Sequence, residues 1–209
     1  MNRILILIGI MLLPGSTGLY AQRAQIGLKG GVNFSSLHTQ DAAGRKMLPG
    51  FNNGFFARLP LMKKWSFQPE IYYTTKGADL TYNTTVADGT VRYKFSYVEM
   101  PLILVAHIKP YFNIQGGAYV AFLLDSEVKN RSGVALFNYE RVLHRRDFNR
   151  MDAGMMLGIG FDLGAFGTGL RYSYGFVKVG KERSSSGNIL RFPDAGNSGI
   201  STYIAYSFN

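Results

Sequence analysis

The chain has 209 residues, is 46% hydrophobic, contains no cysteine and carries a formal net charge of +10. Its length supports one domain with a sizeable core, and the missing cysteines exclude a disulfide framework and thiolate metal sites. Beyond the N-terminal region no stretch reaches the roughly 18 to 20 apolar residues of a membrane-spanning helix.

The chain opens with "MNRILILIGIMLLPGSTGLYAQ": Arg3, an apolar run from Ile4 to Leu13, Pro14, Gly15, and a small-residue stretch closing at Ala21. This is the pattern of a secretory signal peptide, so residues 1–21 are expected to be removed after Ala21, leaving residues 22–209 as a single exported domain. Cleavage removes only Arg3 among the charged residues and leaves a net charge of +9. A basic chain invites a nucleic-acid reading. An exported one is expected instead to meet the phosphates of a membrane surface, with neither nucleic acid nor a cofactor as partner. No cysteine follows the apolar run, so no lipid anchor is expected.

The mature chain alternates with a period of two, segment after segment. From Ala24, Ile26, Leu28, Val32 and Phe34 oppose Gln25, Lys29 and Asn33. In "GFFARLPL", Phe55, Ala57, Leu59 and Leu61 oppose Phe56 and Arg58; after a tight "MKKW" turn, Phe67, Ile71 and Tyr73 oppose Gln68, Glu70, Tyr72 and Lys76. Val98, Met100, Leu102 and Leu104 then oppose Tyr97 and Glu99. After "HIKP", Phe112, Ile114, Val120, Phe122 and Leu124 oppose Asn113, Gln115, Gly117 and Tyr119. "MDAGMMLGIGFDLG" sets an apolar face against Asp152, Gly154, Met156, Gly158, Gly160 and Asp162, and turns at "GAFG". Leu170, Tyr172, Tyr174 and Phe176 oppose Arg171 and Ser173, and finally Ile200, Thr202, Ile204, Tyr206 and Phe208 oppose Ser201, Tyr203, Ala205 and Ser207.

These are eight strands, joined alternately by short turns near 63, 109 and 166 and by long polar connections at about 36–50, 79–90, 126–148 and 180–197. Segments long enough for a tilted span of roughly 9 to 11 residues, an even strand number and this turn asymmetry predict an all-β fold: an eight-stranded antiparallel up-and-down transmembrane β-barrel. A soluble barrel also alternates, but it needs a strongly charged outer face. Here the less apolar face is poor in charge and rich in Gly, Ser, Asn, Gln and Tyr, which suits a narrow lumen. The apolar face ends in aromatics such as Phe34, Tyr73, Tyr172, Tyr174 and Phe208, as interfacial girdles require.

"GFFARLPLMKKWSFQPEIYYTTKGA", "YVEMPLILVAHIKPYFNIQGGAYVAFLL", "LRYSYGF" and "YIAYSF" together resemble the PorT-like outer membrane β-barrel domain, within the broader group of small OmpA- and OmpX-type barrels. The resemblance implies a bacterial outer-membrane location, with the terminal aromatics Tyr206 and Phe208 as the signal read by the barrel-insertion machinery, although Asn209 follows them. The secretion and gliding role that the label suggests is narrower than the domain and is not carried over.

Arg58 and Glu70 lie symmetrically about the turn near residue 64 and are expected to be cross-strand neighbours inside the barrel. With Lys29, Glu99 and Arg171 on the same face, they are expected to form a lumenal ion-pair network, because charges held at membrane depth are costly unless paired. An eight-stranded barrel is just wide enough for side chains to fill it, so a plug is expected rather than a pore. The most basic segment, "ERVLHRRDFNR", brings Arg141, Arg145, Arg146 and Arg150 to an outer loop, where bidentate contacts to lipopolysaccharide phosphates are one expected role. His38, His107 and His144 lack metal-ligand spacing, and the His38/Asp41 and His144/Asp147 pairs read as solvated loop residues. "GIGFDLG" lacks the spacing and the following helix of a phosphate-binding loop. The function expected is a non-enzymatic structural or interaction role at the cell envelope. The alternatives are a narrow solute channel, a component of a secretion or envelope assembly, and a loop-borne enzyme.

Overall fold

The computed structural model describes residues 24–38, 45–83, 88–132, 139–141, 149–179 and 195–208. Nine strands occupy them in chain order: β1 (Gln25–His38), β2 (Arg45–Met62), β3 (Trp65–Asn83), β4 (Asp88–Lys109), β5 (Phe112–Ser132), β6 (Tyr139–Arg141), β7 (Met151–Leu163), β8 (Phe166–Lys178) and β9 (Gly196–Ser207). All pairings are antiparallel, and eight of the strands close into a ring in the order β1–β2–β3–β4–β5–β7–β8–β9, with β9 returning to β1. The three-residue β6 stands outside the ring, paired with the upper part of β5 through Val128–Asn130. Closure gives each ring strand two partners, the condition for placing backbone polar groups in hydrocarbon.

Three two-residue turns, at residues 63–64, 110–111 and 164–165, lie at one end together with the start of β1 and the end of β9. Gly164 has φ +67°, the sign that a type II′ hairpin requires at its first central position. At the opposite end the strands differ in length. The long connections expected at 36–50, 79–90 and 126–148 are corrected in part: β1 runs to His38, β2 begins at Arg45, and β3, β4 and β5 extend to 19, 22 and 21 residues, against 12 or 13 for β7, β8 and β9. These upper segments lack an apolar outer face, so they do not show the alternation of the membrane band. They pair nonetheless, through Asn83↔Asp88 on one side of β4 and Gly89↔Ser132 on the other.

The apolar face is the outer one. Ile26, Leu28, Phe55, Leu102, Leu157, Leu170 and Ile204 are all exposed, as are the aromatics Trp65, Tyr111, Phe166 and Phe208 at the turn end and Phe34, Phe51, Tyr73 and Tyr174 toward the other. Inside, Phe95, Tyr97, Ile103, Val105, Tyr119 and Ala121 form the larger apolar cluster. Buried polar residues lie among and around it: Gln68, Asn113 and Gln115 toward the turns, and Ser126, Asp152 and Asn197 toward the other end.

Candidate functional site

The interior is organised by which strands stand opposite one another. Three strands lie between β3 and β8 in either direction around the ring, and the same is true of β2 and β7. A contact between either pair therefore spans the barrel.

Nearest the turns, Arg58 donates from Nε to Gln68 Oε1 at 2.7 Å and from Nη1 to Asp162 Oδ1 at 3.0 Å. This corrects the expectation that Arg58 and Glu70 are cross-strand neighbours: Phe56 stands opposite Glu70. The two-residue β2–β3 turn is centred between residues 63 and 64 rather than on 64, and a register shift of one between Pro60 and Met62 adds to this, so the strands are offset by two positions from simple symmetry about residue 64. An offset of two keeps each side chain on its face. Arg58 therefore still points inward, but reaches across to β7.

One layer further in, Glu70 is the hub. Its carboxylate accepts from Lys29 Nζ at 2.8 Å and from Arg171 Nη1 and Nη2 at 2.5 and 2.9 Å, with Gln68 and Tyr72 as further donors. Arg171 also donates from Nε to Gln115 Oε1 at 2.7 Å, and the Lys29 ammonium lies 3.8 Å from the centre of the Tyr203 ring. The fork of Arg171 thus ties β8 to β3 across the diameter, in the planar two-bond geometry that favours Arg over Lys.

The glycines of β7 make room for these groups. A Cβ on Gly158 would lie 2.7 Å from Arg171 Cγ, and one on Gly160 would lie 2.5 to 2.7 Å from Gln115, Asn113 and Tyr203. The glycine column is the floor on which side chains from neighbouring and facing strands rest.

Glu99 does not join the Glu70 hub: it pairs with Lys76 of β3, whose ammonium also lies 4.4 Å from the Tyr119 ring centre. Higher still, Asp152 accepts from Asn197 Nδ2 at 2.9 Å and from the Tyr119 hydroxyl at 3.3 Å, while Asn197 also reaches the Tyr97 hydroxyl at 3.4 Å. Among the described residues, Lys29, Arg58, Lys76 and Arg171 face Glu70, Glu99, Asp152 and Asp162, so formal charge balances inside the ring. A cavity of about 540 Å³ opens at the turn end between Arg58, His107, Asp162 and Tyr203; above the Glu70 layer the space narrows to about 40 Å³.

The five residues expected in the lumen all face inward: Lys29, Glu70 and Arg171 form one ion-paired group, Arg58 is joined to Glu70 through Gln68, and Glu99 pairs apart with Lys76. Lys76, Asp152, Asp162, Gln115 and Tyr203 also belong to these layers and were not among the residues expected in the network. The two-residue alternation already marks their face. What it does not encode is which strands meet across the ring.

Of the loop arginines, Arg150 is exposed and its carbonyl accepts from Leu123 N at 2.8 Å, and Arg141 closes β6 opposite Val128. Arg145 and Arg146 lie outside the described residues, as do residues 1–21, Asp41, His144 and Asp147. His107 places Nε2 3.1 Å from Ser66 Oγ and Nδ1 3.8 Å from Asp162, near the turns. His38 ends β1. Tyr206 and Phe208 face outward, with ring centres 5.9 Å apart, and Phe166 lies 5.1 Å from Tyr206.

A closed antiparallel ring with an apolar, aromatic-edged exterior and a polar interior defines an outer-membrane-type β-barrel. Residues 20–180 match the outer membrane protein beta-barrel domain, and the chain belongs to that family, which places it in the outer membrane. The closing strand β9 lies beyond the matched residues.

Among solved structures, the chain is similar to Neisserial surface protein A, with a TM-score of 0.50 at 12% identity over 90% of this chain and 100% of that one. It is also similar to Ail, the attachment invasion locus protein of Yersinia pestis, solved with the heparin analogue sucrose octasulfate: TM-score 0.49, 15% identity, 89% of this chain and 99% of that one. OprG from Pseudomonas aeruginosa follows at a TM-score of 0.40 and 12% identity, over 89% of this chain and 94% of that one. At such identities the likeness concerns the fold alone. No curated protein matches the chain in sequence.

Proposed function

We propose that this protein is a non-conducting, non-enzymatic outer-membrane barrel whose interior is closed by side chains and whose work is done at its outer end. The observation that carries this reading is the Arg171–Glu70 fork, which crosses the diameter and is reinforced by Lys29 from a third strand. A second crossing, Arg58–Asp162, lies closer to the turns. An ion would have to displace paired groups to pass, and buried pairs of this kind lose several kcal/mol when one partner is removed. The test is conductance of the refolded protein in planar bilayers. A closed lumen gives no steady current, whereas discrete conductance steps in the wild type would favour the narrow-channel reading, for which the cavity at the turn end would serve as a vestibule.

At the outer end, the tall β3–β4–β5 sheet and the loops beyond it are the surface available to other envelope components. Arg150, just above the exposed Met151 of the lipid band, fits a phosphate contact to lipopolysaccharide, to which Arg141, Arg145 and Arg146 would add. Replacing the four arginines by alanine is expected to lower the lipopolysaccharide that copurifies with the barrel; an unchanged amount removes that role. The finer PorT-like assignment, with membership of a secretion or envelope assembly, predicts stable partners in a cross-linked pull-down. A lone barrel in that experiment leaves the broader reading in place and removes the assembly.

A further inference from the structure

The outer wall carries a carboxamide at odds with its surroundings. Asn53 of β2 is exposed on the lipid-facing side, with Phe51 and Phe55, both exposed, as its outward neighbours along the strand. Phe51 of the upper girdle is the next outward residue above it, and its cross-strand partners are Gly30 on β1 and Tyr73 on β3, so it sits just below the girdle, inside the apolar band. No hydrogen bond to its side-chain amide is found among the described residues. Hydrocarbon offers that amide neither donor nor acceptor, and an unsatisfied polar group there is costly.

Beside it the wall is notched. Gly30 has no side chain, and a Cβ added there would meet nothing closer than 3.5 Å, the carbonyl oxygen of Asn52. The resulting recess, about 400 Å³, is walled by Leu28, Phe55, Ile204 and Tyr206 with Asn53 at its side. The comparable outward glycine on β5, Gly116, has its space covered by Leu157, 3.3 Å from where a Cβ would lie. The wall is thus open beside the one lipid-facing carboxamide among the described strands and covered at the other glycine.

We propose that this notch is a docking surface for a second copy of the chain, paired about a two-fold axis in the membrane through reciprocal Asn53–Asn53 hydrogen bonds. An amide is its own complement, carrying both donor and acceptor, so an isologous contact satisfies both copies at once. In lipid, apolar surface alone gives little drive to associate; small residues that allow close approach and amides that bond across the interface supply it. An acyl chain fills the recess equally well but leaves the amide unsatisfied.

The absence of cysteine gives a clean test. Phe55→Cys, which keeps Asn53 in place beside the notch, and, on the opposite wall, Leu157→Cys are refolded into phosphatidylcholine vesicles at low protein-to-lipid ratio and oxidised with copper phenanthroline, folding being checked by the mobility of unboiled samples. The dimer predicts a disulfide-linked band for Cys at 55 well above that for Cys at 157. Energy transfer between copies labelled through Lys64→Cys at the turn then reports association without oxidation. Asn53→Leu is expected to weaken it about tenfold, with Asn53→Gln retaining much of it. Equal cross-linking at the two positions, or undiminished association of Asn53→Leu, overturns the proposal and leaves the notch to lipid.

Discussion

Glu70 accepts five hydrogen bonds from four side chains while lying at 5% exposure, and it is the residue whose loss should be felt most widely. Replacing it by alanine strands Lys29 and Arg171 without an anion, a change of the kind that costs roughly 3 to 5 kcal/mol. The temperature at which the folded band converts to the unfolded one on gels should fall accordingly. Gly160 makes a complementary case: alanine there would press a methyl group into Gln115, Asn113 and Tyr203, and overpacking of that kind costs about 1 to 3 kcal/mol. Gly160→Ala is expected to lower the same conversion temperature, with Gly30→Ala, whose added Cβ makes only ordinary contacts at 3.5 Å and beyond, as the control that does not. The inward position of both sites was legible in the alternation of "MDAGMMLGIGFDLG" and "SFQPEIYYTTK". The partners were not, because which residues meet across a barrel depends on the cumulative register of every strand between them, and the centre of the β2–β3 turn together with the offset at Pro60–Met62 moved Arg58 from Glu70 to Asp162.

At the level of strands, the membrane band was the readable part. Where one face must meet lipid, each outward position is apolar and the strand announces itself; β7 and β8 were bounded to within a few residues. Above the band that constraint vanishes, and the upper portions of β3, β4 and β5 read as polar loop although they continue as sheet. Their outer face carries pairs such as Asp79 with Arg92, two hydrogen bonds at 2.8 and 2.7 Å between directly opposed residues. With Arg92 about half exposed, this pair should matter little: Asp79→Ala is expected to shift the conversion temperature only slightly, in line with less than about 1 kcal/mol for exposed pairs. A large drop would mean that the raised sheet is integral to the barrel's stability. The closing strand carries a different expectation. Removing the outward aromatics of β9 by Tyr206→Ala together with Phe208→Ala should reduce the amount of folded protein inserted in cells more than it reduces the stability of protein refolded in detergent. Equal losses would assign these rings to packing against Phe166 rather than to recognition during insertion.

The whole molecule follows from two opposed requirements placed on the same strands. Lipid outside demands apolar side chains and no free edge, which the eight-strand ring supplies; a lumen of this diameter demands small residues where large charged ones cross it, which the β7 glycines supply. Arg171–Glu70 and Arg58–Asp162 join facing walls, and Lys76–Glu99 joins neighbouring strands. The most direct measurement is the gel mobility of the mature protein refolded in detergent micelles, unboiled and boiled, for the wild type and Glu70→Ala side by side. A closed barrel tied across its interior predicts a mobility shift on boiling for both, with Glu70→Ala converting at a clearly lower temperature. A single band regardless of heating, from a protein that stays monomeric in water without detergent, would contradict the lipid-facing assignment of the apolar wall and with it the lumenal role of the paired charges.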